Sequence, residues 1–249
     1  MRILVCVKRV PAPGARIVVG PDGRTIDTAN LGYTMSPHEE CAVEVAVQLV
    51  EQHGGTVTVM TLGQDGADEQ LRYALSVGAT DAILIPAGDH DWDPQATARA
   101  LIAAIGDAES VGVFDLILFG NESADSGGYQ VGVRVAGALA RPMVTGIKGI
   151  EIDHGVITAR RETDGGFELY QLPLPAAVGV KEGIALPRYP TLRGRLASKK
   201  ADVHRFDVDE EPGGQSMVRL VSPPEQVTET VLLVDAAGIV DVMEELELL

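Results

Sequence analysis

Residues 56–78 read TVTVMTLGQDGADEQLRYALSVG, a complete strand–turn–helix unit. Thr56 to Leu62 is a β-branched, apolar run that closes on Gly63 and predicts a strand. Asp68 to Val77 predicts a helix, stopped by Gly78. The alternation continues on both sides. Upstream, Ile3 to Val7 predicts a short buried strand, broken by Val10-Pro11-Ala12-Pro13-Gly14. Ser36-Pro37 then opens a helix. Ser36 can cap it, Pro37 suits its first position, and Glu39 and Glu40 favour the positive end of its dipole. Ala42 to Gln52 carries it on until Gly54-Gly55. Downstream, Ala82 to Ile85 predicts a strand, and Asp93-Pro94 opens a helix to about Ile105. Leu116 to Phe119 predicts a strand ending at Gly120, and Tyr129 to Leu139 a helix.

Strands alternating with helices predict an α/β fold, a Rossmann-like parallel sheet with helices on both faces and right-handed crossovers. Arg16 to Val19 and Thr25 to Asp27 flank Gly20-Pro21-Asp22-Gly23 as a small hairpin. After Pro142, Val156–Arg161, Glu168–Leu172 and Ala177–Val180 read as antiparallel or edge strands, with a hairpin turn at Asp164-Gly165-Gly166. Residues 188–230 are rich in breakers, including Pro190, Pro212, Gly213-Gly214 and Pro223-Pro224, and read as an extended arm. A last helix from about Asp235 to Leu248 puts Ile239, Val242, Met243 and Leu246 on one face. The division expected is an α/β domain over 1–187 and a docking loop with a C-terminal arm over 188–249. An arm this long usually has a partner.

The chain has 249 residues, enough for a sizeable core. Lys+Arg 20 against Asp+Glu 36 gives −16. That excess argues against nucleic acid and against an anionic membrane face. No run approaches the ~20 apolar residues of a membrane span, so direct membrane insertion is not expected. Cys6 and Cys41 form no CxxC, and a reducing, cytoplasmic location fits. His38, His53, His90, His154 and His204 show no ligand spacing, so no metal is expected.

Ligands of open α/β sheets bind beyond the carboxyl ends of the strands. Three loops belong there: Lys8-Arg9-Val10-Pro11, Leu62-Gly63-Gln64-Asp65-Gly66, and Gly120 to Gly128 leading into Tyr129-Gln130-Val131-Gly132. The third is the best anion site, because small residues admit the backbone and the helix offers free N–H groups. A plain solvent-exposed turn explains the same pattern. Neither GxxxxGK[ST] nor a GxGxxG after a strand is present, which disfavours P-loop hydrolysis and standard dinucleotide binding. GxSxG and HExxH are also absent. Asp125 suits a cap or ribose contact better than a general base, and no catalytic residue is assigned.

From Arg188 to Lys200 the chain holds Arg188, Arg193, Arg195, Lys199 and Lys200 and no acid. This patch of opposite sign can steer an acidic partner. It can equally be a solvated loop, or pair with Asp207, Asp209, Glu210 and Glu211.

Several fragments then become specific together: Val7-Lys8-Arg9-Val10, Ser36-Pro37-His38-Glu39-Glu40-Cys41-Ala42-Val43-Glu44, Gly55 to Val59, Ala74 to Ala79 and Gly120-Asn121-Glu122-Ser123. Arg161 to Gly166, Leu172 to Ala176, Pro187 to Leu192 and Lys199-Lys200 complete the set. In this order and spacing, from Ile3 to about Lys200, the chain resembles the beta subunit of electron transfer flavoprotein. The resemblance implies a heterodimer with an alpha subunit, one FAD held mostly by alpha, and a structural AMP in beta. It implies electrons taken from flavin dehydrogenases, acyl-CoA dehydrogenases among them, and passed to a quinone oxidoreductase, without bond-making catalysis.

Carried over by position, the resemblance implies an AMP pocket from Cys6, Ser36, Glu39, Leu62, Gly63, Asp125, Gly128, Tyr129, Gln130 and Val131. The dehydrogenase-docking loop would be Tyr189, Leu192, Arg193, Arg195, Lys199 and Lys200, with Leu192 its apolar anchor. The arm would wrap the alpha subunit. Three positions depart from the family pattern: Ser36 for an Asn, Pro13 for an aromatic, and Ser126-Gly127-Gly128-Tyr129 in the third loop. A glycine-richer loop also suits a diphosphate, as in bifurcating relatives with a second FAD there. A stand-alone adenine-nucleotide-binding module shares the strand–loop–helix layout, but needs no such arm.

Overall fold

Strand β1 (Arg2–Cys6) divides its side chains between two cores, as a two-residue period requires. Ile3 and Val5 pack with one set of helices, and Leu4 and Cys6 with the other. Ile3, Leu4 and Val5 are fully buried, each side chain contributing about 1.5–3 kcal/mol. The computed structural model describes residues 1–88, 92–209, 212–224, 230 and 232–249. His90, Glu210 and Glu211 lie outside them.

After β1, the short strands β2 (Val10–Pro11) and β3 (Tyr33–Thr34) pair antiparallel. The hairpin expected between them is a single bridge, Val19 to Ile26, with the Asp22 carboxylate accepting from the N–H groups of Arg24 and Thr25. Helix α1 (Pro37–His53) is fixed by a capping box: Glu39 N–H donates to Ser36 Oγ, and Ser36 N–H donates to Glu39 Oε2 at 3.0 Å. Then come β4 (Thr56–Gly63), α2 (Asp68–Val77), β5 (Asp81–Pro86), α3 (Pro94–Ala108), β6 (Leu116–Gly120) and α4 (Val131–Ala138). Helices α1 and α2 cover one face of the sheet, and α3 and α4 the other.

Helix α4 starts later than the sequence suggests. Tyr129 takes a left-handed backbone (φ 53°) behind Gly127 (φ 53°), and Gln130 stands as the cap. Beyond it lies β7 (Met143–Asp153), a strand the sequence reading misses. Gly146 and Gly149 blur its period, and its ladder shifts register between Ile147 and Gly149. Strands β8 (Val156–Thr163) and β9 (Gly166–Pro173) form the expected antiparallel hairpin around Asp164-Gly165. Strand β10 (Ala176–Val180) corrects the reading of an antiparallel or edge strand. It is wholly buried and runs parallel between β6 and β7. Its Ala-Ala-Val-Gly-Val run lacks alternation because both faces are covered.

The nine-stranded sheet has the order β11-β5-β4-β1-β6-β10-β7-β8-β9. Its first member, β11 (His204–Arg205), pairs parallel with β5, so part of the expected arm extends the sheet. Arg205 holds it there through Asp65, Nη2 to Oδ1 at 2.5 Å. Helix α5 (Leu192–Ser198), capped by Thr191, lies on α2. A Cβ on Gly194 would sit 2.3 Å from the carbonyl oxygen of Ser76, so this approach needs glycine. The last helix, α6 (Ala236–Glu245), buries no residue. No helix among the described residues is long and apolar enough to cross a membrane.

Candidate functional site

The strand order places a crevice by topology alone. From β1 the chain builds outward through β4 and β5, then returns to lay β6 on the other side of β1. Loops leaving β1 and β6 therefore diverge, and the gap beyond their carboxyl ends is the switch-point site of open sheets. A cavity of about 720 Å³ occupies that position. Its size falls within the roughly 300–1,000 Å³ of small-molecule sites.

Of the residues expected to hold a nucleotide, Cys6, Glu39, Leu62, Asp125, Gly128, Tyr129, Gln130 and Val131 line this cavity. Ser36 and Gly63 are not in its wall. Ser36 is fully buried beneath Glu39 as the helix cap, and a Cβ on Gly63 would meet that of Ala67 at 2.8 Å. The second loop thus contributes only Leu62. The start of α1 and the end of β6 meet closely because of Gly120, where a Cβ would lie 2.7 Å from Glu39 Cγ.

The first and third loops are tied across the cleft. Lys8 Nζ donates to Asp125 Oδ1 at 2.8 Å and lies 2.7 Å from Oδ2. Burial opposes ionisation of Asp125, but Lys8 and the Ser126 N–H outweigh it and hold the carboxyl below its ordinary range. A carboxylate so engaged is a poor general base. Asn121 fixes the root of the third loop, its N–H donating to Val180 O and its Oδ1 accepting from Gly146 N–H at 2.7 Å. Tyr129 leans over the opening, and Glu122, its acceptor, raises its pKa.

Cys6 is buried, and its thiol is pushed far up, first by burial and then by the charge of Glu39. A thiol so held is packed against the cavity wall rather than poised as a thiolate. Among the described residues no cluster of metal-ligating side chains occurs. Glu39 itself is pushed up to about 7 by burial, against the lowering effect of bonds from Ser36 and the Lys8 backbone.

A pH dependence follows. Between the ordinary glutamate range and about pH 7 the folded chain keeps a proton that the unfolded chain has lost. Stability should fall by about 3 kcal/mol as pH rises through that window. Glu39→Gln keeps the capping acceptor and should flatten this slope in urea denaturation of the chain. Equal slopes in both proteins would refute the assignment.

Two walls of the cleft are missed by the sequence reading. One is the start of α3, with Trp92, Asp93, Pro94, Thr97 and Leu101. Asp93-Pro94 is legible as a helix start, but nothing in the sequence says which way that helix faces. The other is Gln215 to Val218, from the arm. The residues expected to dock a dehydrogenase lie elsewhere. Tyr189, Leu192, Arg193, Arg195, Lys199 and Lys200 are all exposed on and beside α5. Arg188 is not part of that free patch. It pairs with Glu44 and Glu51 of α1 rather than with the acidic tail.

Comparison with known proteins adds a family match and three relatives. The family model described as "Electron transfer flavoprotein domain" matches residues 24–211. The chain is 34% identical over 212 residues to "Electron transfer flavoprotein subunit beta" of Bacillus subtilis (strain 168), covering 84% of this chain and 80% of the relative. It is 36% identical over 207 residues to the protein of the same name in Mycobacterium tuberculosis (strain ATCC 25618 / H37Rv), covering 81% and 77%. It is also 32% identical over 198 residues to "Acryloyl-CoA reductase electron transfer subunit gamma" of Anaerotignum propionicum, covering 78% and 73%.

Proposed function

The chain belongs to the electron transfer flavoprotein family, among its beta subunits, and from that premise we propose that it binds AMP in the switch-point cleft. In this reading it pairs with an alpha subunit that holds most of one FAD. The pair carries electrons from flavin dehydrogenases, such as acyl-CoA dehydrogenases, to a quinone oxidoreductase. It works in the cytoplasm and makes no bonds of its own. The flavin supplies the redox chemistry when bound.

The observation that carries the reading is convergence. Residues from four separate segments, around Cys6, Glu39, Leu62 and Asp125 to Val131, meet in one cavity. The residues also fit the ligand. Leu62, Leu101 and Phe119 give an apolar wall for an adenine ring. Val131, Gly132 and Val133 line the cavity at the start of α4, where backbone N–H groups lack intrahelical acceptors. Asp125, set by Lys8, faces the ribose. Toward the shared flavin, Pro13 is exposed beyond the first loop and offers no aromatic ring.

Among the described residues lining the cleft, Lys8 is the basic side chain, against Glu39, Asp93, Glu122 and Asp125. The monoester phosphate of AMP and the bridging diphosphate of a dinucleotide each bring close to two negative charges (about −1.5 to −2 for the monoester) to that set, so charge does not separate the two readings. The likeness to an electron transfer subunit of a reductase keeps a second reading in play, with a second FAD in the cleft. The arm still speaks against a stand-alone nucleotide module. In the same proposal, residues 1–187 form the nucleotide-binding unit and 188–249 the docking segment.

The test is to co-express the chain with its alpha subunit, purify the complex, denature it and identify what is released. One FAD and one AMP per heterodimer is the expected result. Two FAD and no AMP would establish the second reading. No complex and no flavin would overturn both.

A further inference from the structure

The arm lines the cleft and is pinned along the sequence before and after the residues that do so. Arg99 Nη2 donates to Pro212 O at 2.6 Å, Gln215 N–H donates to Asp93 Oδ2 at 2.8 Å, and Leu220 N–H donates to Gly23 O at 2.7 Å. Between the pins, Gln215, Ser216, Met217 and Val218 line the cavity. Met217 and Val218 are nevertheless 44% and 75% exposed. Two apolar side chains therefore face a cleft without being covered by it, a state that a flat, apolar ligand face would relieve.

Asp93 is the residue that makes this arrangement possible. It is 7% exposed and serves two elements at once. Oδ1 caps α3 by accepting from Ala96 N–H at 2.7 Å, while Oδ2 accepts from the arm. Its burial opposes ionisation, but the backbone N–H groups of Ala96, Gln215, Gly214 and Gln95 outweigh it and lower its pKa. Gly213 lets the arm lie directly on this carboxylate, since a Cβ there would come within 1.7 Å of Oδ1.

We propose that residues Pro212 to Leu220 are a strap that closes over the nucleotide in the cleft, and that Asp93 is the positioning residue that latches it. The inference rests on the reading of the cleft as an adenine-nucleotide site. It adds a wall from the arm and links nucleotide retention to the same segment that leads to α6. The strap holds the ligand by covering it, so its loss should appear in the rate of release more than in the rate of binding.

The experiment uses the complex with its alpha subunit, loaded with radiolabelled AMP and chased with unlabelled AMP. Asp93→Ser retains a good cap for α3 but leaves no second carboxylate oxygen for Gln215. Gly213→Ala drives the strap off Asp93 while leaving the residues of α3 and its capping aspartate unaltered. Both should release AMP about ten-fold faster, with the association rate little changed. In the unaltered complex, tryptic cleavage after Arg219 should slow when AMP is added, which requires no variant to fold. Release at the wild-type rate in both variants, with no protection of Arg219, would overturn the strap alone. A wild-type complex that binds no adenine nucleotide would overturn the strap together with the nucleotide reading.

Discussion

A complex carrying Leu192→Glu should accept electrons from a flavin dehydrogenase with kcat/KM about 100-fold below wild type, while keeping its nucleotides and its fold. The expectation starts from burial. Leu192 is 77% exposed, Tyr189 92% and Leu196 57%, so three large apolar side chains of one short segment face solvent. Rigid support lies beneath them. Arg72 Nη1 donates to Ser198 O at 2.6 Å and to Ala201 O at 3.2 Å, and Gly194 brings α5 onto the end of α2. Apolar side chains on a rigid base, ringed by Arg193, Arg195, Lys199 and Lys200, have the anatomy of an interface centre with a polar rim. A carboxylate at Leu192 would be desolvated at the centre of that contact. It costs the free chain almost nothing, because the position is already in water. The rim makes a separate prediction. Reversing Arg193 and Arg195 to Glu should slow association and weaken its salt dependence, with less effect on dissociation. Stopped-flow mixing with a reduced dehydrogenase at two ionic strengths reads both. Unchanged transfer in the Leu192 variant would remove α5 from the docking surface.

Much of this surface and of the cleft is legible in the sequence, for identifiable reasons. The parallel half of the sheet shows because β4, β5 and β6 end on Gly63, Pro86 and Gly120, and α1, α2 and α3 carry their own cap or stop at Ser36, Gly78 and Asp93. Such signals are local. The cleft residues of the third loop follow from strand ends, because topology alone puts such loops at the crevice, whereas Cys6 on β1 and Glu39 on α1 come from the family resemblance. What fails is nonlocal. Strand β10 reads like any short apolar run, and only the finished sheet shows that β6 and β7 flank it. Strand β7 is hidden by Gly146 and Gly149, whose bulges interrupt the two-residue period. Tyr129 is drawn into the helix by pattern, and its positive φ is set by the turn before it. The wall from Gln215 to Val218 is the least legible of all, since its place depends on Asp93, more than a hundred residues away.

Arg188→Ala should destabilise the chain by about 2–3 kcal/mol at neutral pH, a large effect for a residue outside the core. Glu44 is the cause. Its side chain is 5% exposed, and its oxygens accept from Arg188 Nε at 2.9 Å, Nη2 at 3.0 Å and backbone N–H at 3.1 Å. Removing the guanidinium leaves a buried carboxylate with Gln48 as its remaining side-chain donor. Arg188 is 35% exposed and also holds the exposed Glu51, so solvent screening puts the cost below that of a fully buried pair. The sign with pH is fixed by Glu44. Burial raises its pKa, but Arg188 and Gln48 more than offset this and lower it. The pair therefore stabilises the fold above the ordinary glutamate range and loses that contribution as pH falls through the lowered value. Wild type and Arg188→Ala should differ fully at neutral pH and converge in acid, as pH falls through the lowered value of Glu44. The double variant Glu44→Gln with Arg188→Ala should recover part of the loss, because no charge is left stranded. Urea denaturation of the full chain measures all three. A gap that persists in acid, or a double variant no better than the single, would refute the account. The same anchor also sets where the docking segment begins: Arg188 ties residue 188 to α1, and Tyr189 and Leu192 follow directly. Electron acceptance by the Arg188 variant should therefore fall even where the protein is fully folded.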